Sequence, residues 1–352
     1  MARVRPRSAN DMTSNESSAI DVLRFFCVLF VVPLHCCMSY HVPIPPCDSV
    51  LNVEAWFCAF GFKGLAVLLF LGGWLFFRGV PQKTGFVGFW IPKFRRRIKS
   101  LGIPFLIWFA VALAYRGALG KLPAEMDASD PLHVLRYMIG WDGFCAHPGR
   151  AGIWYLKTLL VAAALAPLYW AAYRALGRIA LVAGVFCAIS PPFSIDFPFF
   201  SAWFFLGGCV AYQRIELSDL TSGFDRALPV SAVLFAAYQL LAASRIPHAR
   251  FLDFAPYALA LSVFETVRKM DEVPGWLSKT VKSSTFVYFA HFYAAGAVGA
   301  ALRAAIRPET GLQASVAYVL CVFPVAASAV SGYFVLRRFA PRFLAAITGG
   351  RS

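Results

Sequence analysis

The sequence predicts an all-α polytopic membrane protein with about ten transmembrane helices and both termini inside. Three observations carry this. Of 352 residues, 59% are hydrophobic and only 14% charged, against about 25% charged in an average soluble domain. The apolar residues gather into ten runs, most of them near the ~20 residues needed to cross a bilayer. The basic residues collect on alternate connections between these runs, as inner-face flanks do.

The runs lie at 20–40, 55–77, 101–115, 153–173, 179–190, 197–212, 227–243, 251–267, 284–302 and 315–336. The fifth is short and stops at Pro191-Pro192. The third is preceded by an amphipathic basic stretch suited to the membrane interface. With the N-terminus inside, 22 of the 33 Lys and Arg fall on inner segments, eight on outer ones and three within runs. The longest loop, 116–152, has under 40 residues, so no soluble domain is inserted. Residues 1–18 read as a polar and basic inner tail, 19–337 as one membrane domain, and 338–352 as a second inner tail. No cleavable signal pattern precedes the first run.

Net charge is +15, but its placement as inner flanks argues against nucleic acid. Nine cysteines include no CxxC pair, so metal-ligand spacing is absent and no metal is expected.

Ionisable residues inside spans are costly and signal function. The first run carries Asp21, Arg24 and His35. Asp21 and Arg24 are three apart and can pair. Arg24 and His35 are eleven apart, which is three turns plus about 20°, so both project from one helix face roughly 16 Å apart. Headgroup anchoring is the plain reading of Asp21 and Arg24, and a structural hydrogen bond that of His35. Lys63 lies in the second run, where it snorkels or counters a buried charge; Lys157 in the fourth snorkels. Tyr288 and His291 sit three apart in the ninth, where a helix–helix hydrogen bond or a place beside the reacting groups both suit His291. Trp154 and Tyr155 suit an aromatic belt or a substrate platform equally. The cluster Arg95, Arg96, Arg97 and Lys99 suits phosphate recognition by guanidinium forks; its other reading is attraction to anionic lipid.

The segment IDVLRFFCVLFVVPLHC, with Asp21 and the pair Arg24 and His35, resembles the opening helix of the acyltransferase-3 family of membrane acyltransferases, marked by an Arg, ten residues and a His. FLGGWLFF at 70–77, KFRRRIKSLGIPFLIW at 93–108, IWYLKTLLVAAALAPL at 153–168, FFLGGCVAY at 204–212 and SSTFVYFAH at 283–291 resemble later family elements in the same order. Gly72 stands where the family usually has Ser, and Arg96-x-x-Lys99 where it has Arg-x-x-Arg. The resemblance ends at the last helix, which marks the stand-alone type without a fused extracytoplasmic hydrolase-like domain.

This resemblance implies transfer of an acyl group, most often acetyl, from cytoplasmic acyl-CoA to a hydroxyl of an envelope glycan or lipid-linked saccharide, in a bacterial inner (plasma) membrane. His35 then serves as base or as acyl carrier. Arg24, oriented by Asp21, holds the donor, and the basic cluster holds its phosphates. Buried Arg, His and Lys also suit a transporter or flippase for a saccharide or small molecule, although no two-fold internal similarity supports one.

Two outcomes are expected from the sequence. Single-cysteine reporters labelled from outside should react in the 116–152 loop and stay unlabelled in 78–99; the reverse pattern overturns the orientation. Cys47 and Cys145 share the outer side and should pair if that compartment is oxidising; two free thiols in protein purified without reductant refute the pairing.

Overall fold

A computed structural model describes residues 13–36, 53–83, 85–118, 130–139, 153–189, 197–243, 254–307 and 311–350. Cys47, Cys145 and the 116–152 loop beyond residue 139 lie outside the described residues, as does most of its first half. Among the described residues every regular element is helical, and helix runs through the described part of each of the ten apolar runs, in two pieces for the fourth. Among the described residues four helical stretches are long and apolar enough to cross a membrane, Ser14–His35, Phe86–Ala118, Gly275–Ile306 and Gln313–Phe339, and five when the bent pair Ile153–Ala164 and Ala166–Leu176 is counted as one span.

Helix α1 (Ser14–His35) begins six residues before its apolar run, because Thr13 caps it: the Glu16 N–H donates to Thr13 Oγ1 at 3.0 Å. It lies among α2 (Val53–Phe77), α12 (Ala255–Arg268), α14 (Ser284–Ile306) and α15 (Gly311–Phe339). The first helix is therefore surrounded by protein.

The third run is the end of a longer element. Helix α3 (Phe86–Arg97), a π-helical turn (Ile98–Gly102) and α4 (Ile103–Ala118) follow without a gap. Pro104 has no N–H to give the Ser100 carbonyl four residues earlier, and a wider turn forms there. Its 33 residues would span ~50 Å at 1.5 Å each, more than a hydrocarbon core of ~30 Å. Lys93 on α3 donates to the carbonyls of Phe76 at 2.7 Å and Arg78 at 2.9 Å, capping the C-terminal end of α2.

The fourth run was expected as one helix, and the structure breaks it into α6 (Ile153–Ala164) and α7 (Ala166–Leu176), bent by 55°. Pro167 is the cause: it cannot donate to Ala163, and its ring crowds that carbonyl. The Trp90 indole N–H of α3 takes the place of the lost donor, at 3.0 Å from the Ala163 oxygen.

Helices α8 (Ile179–Ile189), α9 (Phe197–Tyr212) and α11 (Leu228–Ala243) complete the bundle, with short α5 (Pro131–Ile139), α10 (Leu217–Thr221), α13 (Gly275–Thr280) and α16 (Pro341–Thr348) between or after them. A buried ionic layer ties α1 to the others. Arg78 reaches Glu216 at 3.3 Å and Glu16 at 3.8 Å and lies over the Trp74 ring. The fully buried Glu265 accepts two bonds from Arg268, both 2.7 Å, and one from Thr221.

Helices α2 and α9 meet backbone to backbone. A Cβ on Gly73 would run into the Phe204 carbonyl, and one on Gly207 into the Phe70 carbonyl. Close approach through small residues is a main source of helix association in lipid. Gly73→Ala or Gly207→Ala should therefore lower the midpoint of thermal unfolding in detergent, at a cost of about 1–3 kcal/mol or more. Gly88→Ala, which meets nothing within 4 Å, should be neutral or slightly stabilising. Equal behaviour of all three variants excludes the contact as a packing determinant.

Candidate active site

The site begins on α1. Arg24 and His35 lie on one face of it, and Asp21 Oδ1 is 3.3 Å from Arg24 Nη1 with both side chains partly exposed. Arg24 and Val28, one turn on, line a cavity of about 70 Å³. Helix α2 adds Leu68 and Gly72, α6 adds Tyr155, Leu156 and Leu159, and α14 adds Ser284, Thr285, Tyr288 and Phe289. The last wall is Arg97, from the end of α3.

Two guanidiniums thus face one small space, with Arg97 in electrostatic reach of Arg24 and of Tyr155. Arg24 has Asp21, but Arg97 has no ion-pair partner among the described residues. Converging like charges in a partly buried place favour a bound anion. Gly72 contributes room: a Cβ there would come within 3.0 Å of Leu159 Cδ2, so the serine usual in the family would press on that side chain.

From the cavity a row of rings runs toward His35. Tyr288 is 5.1 Å from Tyr155 and 6.0 Å from His291, centroid to centroid. His291 is 5.1 Å from His35, and His35 is 5.4 Å from Phe292. Ser284, Tyr288 and His291 are spaced four and three apart, so one face of α14 joins the cavity to the histidine pair over roughly 10 Å.

The tautomer of His291 follows from its partner. Its Nδ1 lies 2.9 Å from the Val287 carbonyl, and a carbonyl only accepts, so Nδ1 carries the proton and Nε2 a free lone pair. That Nε2 is buried and has no hydrogen-bond partner among the described residues. A buried acceptor left open in this way is a place for a donor to dock.

The structure divides the basic cluster. Arg97 faces the cavity; Arg95 is exposed and does not line it; Arg96 and Lys99 line a separate groove, described below. Trp154 is half-buried beside Tyr155, and Lys63 lies 5.8 Å over the Tyr257 ring; neither lines the cavity. Among the described residues no three His, Cys, Asp or Glu side chains come together as a metal site. Sequence reasoning passed over Ser284 and Thr285, although the spacing of Ser284, Tyr288 and His291 was a legible signal for one of them.

No curated protein and no solved structure matches the chain. The family model described as an acyltransferase domain, that of the acyltransferase-3 family, matches residues 17–337, from the first turns of α1 to the end of α15. The match takes in Arg24, His35, Arg97, Tyr288 and His291 together, and the chain belongs to the acyltransferase-3 family of membrane acyltransferases.

Proposed function

We propose that this protein moves an acyl group, most often acetyl, from cytoplasmic acyl-CoA to a hydroxyl of an envelope glycan or a lipid-linked saccharide. The observation that carries the reading is the continuity of the site: two arginines at a narrow cavity, then Tyr288, then the paired imidazoles of His291 and His35. An anionic donor with a long thioester arm needs positive charge at one end and a proton acceptor at the other.

In this reading the ten apolar helices cross a bacterial inner membrane with both termini inside, as the basic-residue bias supports. Arg97 and Arg24 hold the donor's phosphates at the inner mouth, with the exposed Arg95 nearby and Asp21 fixing the Arg24 rotamer. The thioester arm spans the ~16 Å to His35. The acceptor hydroxyl attacks the thioester carbonyl and gives its proton to His35, and the thiolate leaves to take up a proton. Stepwise transfer through an acyl-histidine uses the same groups. His291, with Nδ1 committed to the backbone, offers Nε2 to the His35 ring or to the incoming hydroxyl.

Arg24 and His35 should fail differently. Purified protein supplied with labelled acetyl-CoA and a crude envelope-glycan fraction should yield acylated product. In His35→Ala the rate should fall roughly 10²–10⁴-fold, with donor binding kept. Arg24→Ala and Arg97→Gln should weaken donor binding and its salt dependence, and Asp21→Asn should give a milder loss. Equal product from the wild type and a folded His35→Ala variant removes His35 and leaves His291 as the base. A wild type that moves substrate across vesicles and forms no acylated product favours the transporter reading.

A further inference from the structure

The second groove lies on the other side of the basic turn from the cavity. Arg96, Lys99, Ser100 and Ile103 form one wall, and Ala345, Ala346 and Gly349 of the C-terminal helix form the other, around a space of about 380 Å³. The walls are tied together. The Trp108 indole N–H donates to the Ile347 carbonyl at 3.0 Å, and Leu344, Ile347 and Thr348 are buried. Gly349 sits against the Ser100 carbonyl with φ +68°, where a Cβ would collide.

The wall carries its polarity in order. Arg96, Lys99, Ile103 and Leu106 follow at steps of three and four, and all four are exposed. Ile103 is 48% and Leu106 52% exposed. On the facing helix Phe343 is 52% exposed, one turn from Ala346. Two cations and the Ser100 hydroxyl thus stand at the base of an apolar stripe that climbs α4. Arg97, one residue on and ~100° around the helix, faces inward instead.

We propose that this groove binds one anionic phospholipid, with its phosphate on Arg96, Lys99 and Ser100 and an acyl chain along Ile103 and Leu106. Basic pockets between helices at the inner face hold anionic headgroups in this way. The charge complements a phosphate, and the apolar stripe continues where a nucleotide would need polar partners. The small residues of α16 leave the width that the lipid fills.

Native mass spectrometry of the full chain in neutral detergent tests this, with phosphatidylglycerol, phosphatidylcholine and adenosine 3′,5′-bisphosphate as separate probes. Phosphatidylglycerol should bind and phosphatidylcholine should not. The double variant Arg96→Gln, Lys99→Gln should bind phosphatidylglycerol roughly 30-fold more weakly and keep its affinity for the bisphosphate, which Arg97→Gln loses. Ala346→Phe should block the lipid by filling the groove with no change of charge. Arg178→Gln, another exposed inner arginine, should have no effect. Three results overturn the site: unchanged lipid binding in the double variant, an equal loss in Arg178→Gln, or loss of the bisphosphate in the double variant, which returns both residues to the acyl donor.

Discussion

A helix that carries an arginine at its middle and a histidine at its end along one face cannot turn that face to lipid. A charge at the centre of a bilayer costs ~2.5 kcal/mol or more. Helix α1 meets this constraint by lying among α2, α12, α14 and α15. Polar groups from other helices meet that face: α3 brings Arg97 to the same cavity as Arg24, α6 brings Tyr155, and α14 brings Tyr288 and His291. The candidate site is thus built from the same contacts that pack the helices around α1.

Backbone groups impose a second demand, because a bilayer offers no water to satisfy them. Where a proline or a helix end leaves a carbonyl without its donor, a side chain from another helix supplies one. Pro167 frees the Ala163 carbonyl and Trp90 donates to it; the last carbonyls of α2 receive Lys93. Both donors lie on α3, so the helix that ends in Arg95, Arg96 and Arg97 is fixed on its other face before the arginines are placed. The positions of Arg97 at the cavity and of Arg96 and Lys99 at the groove follow from that anchoring.

Much of the site was legible in order along the chain. Arg24 and His35 share a face by arithmetic on 3.6 residues per turn, Asp21 pairs with Arg24 at the spacing that allows it, and the order of the motifs along the chain points to the family. Helix positions were legible for the same reason: apolar runs of this length have little choice but to be helical in lipid. The break at Leu165 was less so, since the run 153–173 stays apolar on both sides of Pro167.

The sequence by itself determined the membrane class, the all-helical fold, the family, and which side chains on α1 face the same way, because these depend on composition, period and local spacing. Tertiary structure alone decided that His291 stands beside His35, that its Nε2 is the open nitrogen, and that one run of four basic residues serves two places. Those facts depend on how helices far apart in sequence are rotated against one another. A helix of 3.6 residues per turn sends Arg96 and Arg97 in directions ~100° apart, and only the packing of α3 fixes which of them looks inward.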